Sequence, residues 1–427
     1  DKPVTEQTEA LGHAVRAAYF YSGVADVARI TGEAALLESC ETLWRNIVDR
    51  KLYITGGIGA THMGEAFSFD YDLPNDTAYS ESCAAIALAF FARRMLEIQP
   101  KSEYADVMES ALYNTTLAGM ALDGKSFFYV NPLEVVPEAC HRDERKFHVK
   151  PVRQKWFGCA CCPPNIARMV ESVQQYAYTV ADDASTLYVH LYMGGVVSAK
   201  LGGSDVSLEV RAGMPWNGAG AITVTLPSSD EGQVPESFAL ALRLPAWAGG
   251  ESAADSIHAT GEKDSRITRT TRDGYLYLTG TWRDFPMPVR MIAANPLVRE
   301  DAGKVAFIRG PLAYCAEGTD NGDNLHLLHA DAETIAADPD SVKVNEITFH
   351  AQAAAQDERG LGEVEPVDLP MVTLTIPAWR ESSQGAADKS LYALWQPAQR
   401  QPTEVTLIPY FAWANRGETE MTVFLRS

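Results

Sequence analysis

Lys155-Trp156-Phe157-Gly158-Cys159-Ala160-Cys161-Cys162-Pro163-Pro164-Asn165 packs three of the chain's seven cysteines into four positions, just ahead of a Pro-Pro pair. Ile166 to Val173 then reads as a helix. Proline suits a first helical turn, because the N–H it lacks would have been unpaired there. Cys161 and Cys162 therefore stand just before a helix N-terminus, where the partial positive charge favours thiolate over thiol. Thiolates are nucleophiles and metal ligands. Small buried cysteines in a reduced core are the alternative, but packing alone explains adjacent cysteines before Pro-Pro poorly.

Upstream the pattern is helical. Leu11, Ala14, Val15 and Ala18 recur at three- and four-residue spacing and predict a helix over 3–31. A second follows over 34–48, with Leu36, Leu37, Cys40, Leu43, Trp44 and Ile47 as its apolar stripe and Cys40 as core. Tyr53 to Phe67 carries four glycines and no periodicity, so it reads as a loop. It lacks the lysine and the strand–loop–helix setting of a phosphate-binding loop. Its glycines could instead let backbone approach a ligand closely. Its ionisable side chains, His62 and Glu65, are either solvated or functional. Another helix runs from about Tyr79 to Ile98, with Ser80 or Ser82 as its cap. Glu81 and Cys83 can converge at that first turn; the plainer reading is a capping carboxylate beside a buried cysteine. Glu103 to Leu122 predicts a fourth long helix, and Phe127 to Pro132 a short aromatic strand. Tyr129 is there either core or a pocket hydroxyl. Cys140, His141 and His148 match no standard metal spacing and read as solvated loop.

Past about 178 the period changes. Thr186–Tyr192, Val206–Val210, Ala221–Leu226, Phe238–Leu244 and Gly274–Leu278 are β-rich runs separated by turn signals, as in a β-sandwich. A second β-rich block spans about 283–415, within which 316–368 reads as polar and loop-rich. The last strand, Glu420–Leu425, is expected to return to the first block.

The 427 residues suffice for two or three domains. With 46% apolar and 22% charged residues the composition is that of a globular protein. A net charge of -20 argues against nucleic acid and against anionic membrane surfaces. An odd, clustered set of cysteines suggests thiol or metal chemistry in a reducing compartment, hence a cytoplasmic location. The chain opens on Asp1 in a helical pattern, so an N-terminal part is expected to be missing.

Glu81, Cys83, Cys161 and Cys162 could together make a four-coordinate zinc site. Spacing alone leaves a zinc–thiolate hydrolase and a structural zinc site both open. Gly56 to Phe67, Glu81-Ser82-Cys83, Trp156 to Asn165 and the tail Leu407-Ile408-Pro409-Tyr410-Phe411-Ala412-Trp413-Ala414-Asn415-Arg416-Gly417 resemble glycoside hydrolase family 127, the β-L-arabinofuranosidases. That resemblance implies a multidomain α and β fold: an (α/α)6 barrel followed by two β-sandwich domains. About five helices precede the β region, so only the C-terminal half of the barrel is expected, over 1–178. The sandwiches fall at 179–282 plus 416–427, and at 283–415. The resemblance further implies a retaining glycosidase that releases β-L-arabinofuranose. Cys161 would be the nucleophile, Glu65 the acid/base, and Glu81, Cys83, Cys161 and Cys162 the Zn2+ ligands. His13, Tyr129 and His62 would contact substrate, a small carbohydrate; a homodimer is compatible. The alternatives are a non-catalytic structural-zinc or carbohydrate-binding protein with an incomplete barrel, and a thiol redox protein, since Cys159 and Cys162 have CxxC spacing.

Overall fold

A computed structural model describes residues 2–225, 238–257, 269–278, 287–351, 366–382 and 397–427. The helices of its N-terminal part are α1 (Ala14–Thr31), α2 (Ala34–Arg50), α3 (Ser82–Ile98), α4 (Ser102–Ser110), α5 (Pro137–Arg142) and α6 (Cys162–Ser172), followed by one turn at Gln174–Ala177. The first eleven residues of α3, Ser82 to Ala92, are all buried. A helix that is apolar all round belongs at the centre of a layer, and α1, α2, α4 and α6 share one core with it. Trp44 of α2 sits edge-on to Phe91 of α3 at 5.5 Å and to Tyr104 of α4 at 5.0 Å. Cys40 is buried in this core, as expected.

Two helices depart from their periodicity. The first begins at Ala14 rather than near residue 3, because backbone just before it pairs with the glycine-rich loop. Ala14 N donates to Glu65 O at 2.9 Å and Phe67 N to Gly12 O at 2.9 Å. The fourth is helical from Ser102 to Ala118, but its α pattern gives way to a π pattern over Ala111–Thr116. There Asn114 is drawn outward: its Nδ2 donates to Pro311 O at 3.0 Å and its Oδ1 accepts from Ala313 N at 2.8 Å. Side-chain anchoring to another unit is a recognised setting for such a bulge. The expected strand at 127–132 is a set of isolated bridges, not a regular strand.

Among the described residues the β part forms three sheets. Strands 178–180, 186–189, 239–243, 269–272 and 275–278 make one, and 195–201, 204–212 and 220–225 make another. Leu187, Val189, Leu240 and Leu242 of the first meet Leu208, Val210 and Ile222 of the second in a common core. Leu226, the end of one predicted run, lies outside the described residues. The third sheet is built mainly from strands between 289 and 426. Lys343–Ala351, placed by its polarity in a loop, is an edge strand paired along its length with Val367–Glu381; its exposed face hides the alternation. Residues 352–365 of the same predicted loop lie outside the described residues. The last strands do not return to the first block. Leu425 pairs with Val305, and Met421 and Thr422 with Glu317 and Ala316. Among the described residues no helix is long and apolar enough to cross a membrane.

Candidate active site

The N-termini of α3 and α6 meet. Glu81 is the residue just before α3, and Cys83 lies in its first turn. Cys161 occupies the same flanking place before α6, with Cys162 and Pro163 opening the helix. Backbone then pins a third segment alongside: Ser82 N donates to Tyr129 O at 3.0 Å, and Asn131 N to Ser80 O at 3.1 Å. Glu81, Cys83 and Cys162 are 2%, 3% and 0% exposed, while Cys161 is half-buried.

The four ligand atoms lie within 4.8 Å of one another. Cys161 Sγ is 3.4 Å from Glu81 Oε1 and 3.8 Å from Cys162 Sγ, and Cys83 Sγ is 3.5 Å from Cys162 Sγ. Tyr129 Oη stands 3.3 Å from Cys161 Sγ. Burial first, and the Cys161 charge next, push the Glu81 carboxyl up to about 8. The Cys162 thiol first, then Cys83, Tyr129 and Glu81, hold Cys161 well below the usual thiol range. Cys162 and Cys83 move upward, chiefly through their hydrogen bonds to Cys161. Glu81 Oε2 is buried without a hydrogen-bond partner. An orphaned buried carboxylate oxygen beside three thiols is a donor set that could hold a metal ion.

Glu65 approaches from the glycine-rich loop. Its φ of 54° lies in the left-handed region, which costs a non-glycine residue energy and is seen where surrounding structure over-determines it. Here α1 does so, through the Ala14 N to Glu65 O bond and the bridge between His13 and Ala66. Glu65 Oε2 is 2.9 Å from His13 Nε2, and His13, Glu65 and Glu81 also offer ligand atoms within 4.8 Å of one another. His13, Glu65, Glu81, Cys83, Tyr129 and Cys161 line one cavity of about 640 Å³.

Some readings change. His62 is not in that lining; it stacks on His148 at 4.6 Å. Two of the loop glycines, Gly56 and Gly57, are required by close protein contacts. A Cβ on Gly56, whose φ is +76°, would lie 2.4 Å from Ala111 N, and one on Gly57 would lie 1.9 Å from Ser80 Oγ. Cys140 is buried rather than solvated, while His141 pairs with Glu418 at 2.8 Å.

Three family models match in succession: the GH127 catalytic domain of β-L-arabinofuranosidase over residues 1–175, its middle domain over 186–287, and the glycoside hydrolase family 127 C-terminal domain over 289–426. The chain belongs to glycoside hydrolase family 127. It is 40% identical over 434 residues to a non-reducing end β-L-arabinofuranosidase of Bifidobacterium longum subsp. longum, matching 100% of this chain and 61% of that protein. A GH127 β-L-arabinofuranosidase from Geobacillus stearothermophilus T6 superposes with a TM-score of 0.81 at 41% identity, covering 99% of this chain and 62% of that one. A GH127 β-arabinofuranosidase superposes at 0.77 with 34% identity, covering 100% and 61%. This family 127 chain thus spans about three fifths of the length of these relatives.

Sequence reading missed part of the wall. Arg16 and Tyr19 of α1 and Asn165 and Arg168 of α6 line the cavity too. Arg168 donates to Tyr19 Oη at 2.7 Å and also to Asn165 Oδ1. These are ordinary helix-surface residues, and the only local signal was that α6 carries the paired cysteines.

Proposed function

We propose that this chain carries the catalytic centre of a retaining glycoside hydrolase that releases β-L-arabinofuranose. Cys161 is the nucleophile, Glu65 the acid/base, and Glu81, Cys83, Cys161 and Cys162 hold Zn2+. The supporting observation is the four-residue donor cluster, with its orphaned Glu81 oxygen, on the same cavity as Glu65. The identity to β-L-arabinofuranosidases supports the choice of sugar. The helices of 1–178 are read as part of an (α/α)6 barrel. Strands 179–282 and 283–427 are read as two sandwiches, with 416–427 assigned to the second because of its pairing.

Bound zinc would keep the cluster's thiols deprotonated and offset their mutual repulsion. The chain's own residues do the rest. Glu65 gives its proton to the glycosidic oxygen as the bond from that oxygen to the anomeric carbon breaks. Cys161 Sγ bonds to the same carbon, leaving the sugar as a thioglycoside. Glu65, now a carboxylate, takes a proton from water; the hydroxyl adds to the anomeric carbon and the S–C bond breaks, restoring the thiolate. His13, 2.9 Å from Glu65, orients that carboxyl, and Tyr129 Oη, 3.3 Å from Cys161 Sγ, holds the sulfur in place.

The test is hydrolysis of p-nitrophenyl β-L-arabinofuranoside, with metal measured per chain. Product of retained configuration and about one zinc per chain are expected in the wild type. Full activity in Cys161→Ala or Glu65→Gln would remove the mechanism. Zinc with no hydrolysis would leave a structural metal site.

A further inference from the structure

The tail Leu407–Gly417 belongs to the third sheet and its exit, and the chemistry above makes no use of it. Its carbonyls and side chains nevertheless hold two of the segments that carry the site. Arg153, 3% exposed, donates Nη1 to Trp413 O at 2.7 Å, Nη2 to Phe411 O at 3.2 Å and Nε to Ala118 O at 3.0 Å. Three carbonyls in three directions fix a planar guanidinium. The next residue, Gln154, exchanges two 2.9 Å backbone hydrogen bonds with Phe127 and leads into the 155–161 loop.

Trp413, fully buried, stacks on Phe128 at 4.6 Å with 11° between the rings, and Arg153 stands 4.5 Å from the same ring. Phe128 and Tyr129 are consecutive in an extended segment, so their side chains point to opposite sides. Phe128 faces the tail, and Tyr129 faces Cys161. Tyr410 Oη closes the same segment by donating to Pro132 O at 2.8 Å, and Asn415 Oδ1 accepts from Leu122 N at 3.0 Å.

We propose that Arg153 and Trp413 are positioning residues for the catalytic centre: the C-terminal β unit, through its 410–415 turn, sets where Tyr129 and Cys161 stand. This deepens the glycosidase reading and rests on it for the roles of those two residues. Neither Arg153 nor Trp413 touches substrate; each acts through a neighbour in the chain.

The experiment uses the full chain as wild type, Arg153→Lys, Trp413→Leu, Trp413→Phe, Tyr129→Phe and the double variant Trp413→Leu/Tyr129→Phe. Cobalt binding, followed by its thiolate absorption band, reads the metal cluster without any activity. Arg153 bonds no ligand directly and acts through the 155–161 loop, so Arg153→Lys should weaken cobalt binding by about 10-fold, the low end of what groups that orient metal ligands contribute. In hydrolysis, Trp413→Leu should lower kcat and leave KM nearly unchanged, and Trp413→Phe, which keeps the ring stack, should recover most of the loss. Tyr129→Phe should cost less in the Trp413→Leu background than in the wild type, because coupled residues are not additive. Additive costs with unchanged cobalt affinity, whatever the loss of Tm, would overturn the proposal and leave Arg153 and Trp413 as ordinary core. If the wild type binds cobalt but hydrolyses nothing, the glycosidase reading fails and the cobalt arm alone decides this one. No cobalt and no hydrolysis would overturn both.

Discussion

Arg243 and Glu81 are both almost wholly buried, and each gathers other ionisable groups around it. Around Arg243 the groups answer one another. Nη1 meets Asp106 Oδ1 at 2.5 Å, Nη2 meets Glu109, and Glu109 Oε2 accepts from Trp247 Nε1 at 2.7 Å. Asp106 and Glu109 lie on α4, whereas Arg243 and Trp247 lie in the first β block. The cluster bolts helix to sheet, and only the guanidinium Nε is left unanswered. Around Glu81 the groups are three thiols that are poor partners for a carboxylate, one carboxylate oxygen has no partner, and a cavity opens beside them. Buried charge whose partners belong to the chain is architecture. Buried donors that converge without a partner await a ligand.

That contrast is tested most severely by the pair Cys161→Ala and Arg243→Met. Removing a nucleophile that acts within a unit costs several orders of magnitude, so Cys161→Ala should lower kcat for p-nitrophenyl β-L-arabinofuranoside by about 10⁴-fold or more. Because Cys161 is also a metal ligand, the variant's stability should fall by no more than bound metal supplies, about 2.7 kcal/mol. Arg243→Met leaves the buried Glu109 without a counter-charge and should cost about 3–5 kcal/mol of stability. Its kcat at low temperature should stay close to wild type. If Cys161→Ala unfolds the chain, or Arg243→Met abolishes turnover in folded protein, the two clusters do not differ in role.

Metal removal should have a smaller effect on stability, and only at one of the two clusters. A ligand at about 100 times its Kd stabilises by about 2.7 kcal/mol. Dialysis against a chelator should therefore lower the wild-type Tm, and zinc should restore it. In Cys83→Ser, chelator should change the Tm little, since the donor set is already broken. An equal chelator effect in both proteins would place the metal elsewhere.

The Glu81 side of the comparison was legible in the sequence because its residue types are rare where they stand. Cysteines paired before Pro-Pro and a Glu-Ser-Cys run at a helix start have few packing explanations. The Arg243 side was not legible: Arg243 and Glu109 are common residue types 134 positions apart, and nothing local marks their meeting. The same holds for Tyr19 and Arg168, 149 apart. His62 stands outside the lining of the cavity, exposed and stacked on His148. The helix layer and the sheets were readable from period, since burial imposes it. The π segment that follows α4 and the edge strand at 343–351 were not, because partners distant in sequence decide both.

The finest discrimination concerns Asp106, where the answered cluster is not evenly answered. Two carboxylates share one guanidinium. Burial pushes the Asp106 carboxyl up to about 6 from an ordinary 3.8, with Arg243 pulling it down and Glu109 adding to the rise. An acid whose folded pKa lies above its unfolded value binds more protons in the native state between those two values. Native stability then falls as pH rises through that window, and the penalty is complete above about pH 6. Asp106→Asn carries no such penalty. The stability of wild type relative to Asp106→Asn should therefore decline between about pH 4 and pH 6 and then level off. Since Asp106 is still partly solvated, the decline should be on the order of 1–2 kcal/mol, less than the full shift implies. Urea midpoints of the two proteins across that range measure it. A relative stability that rises with pH would mean that Arg243 holds Asp106 as a fully compensated ion pair, and that Asp106 strengthens the clamp at every pH where its carboxyl is ionised.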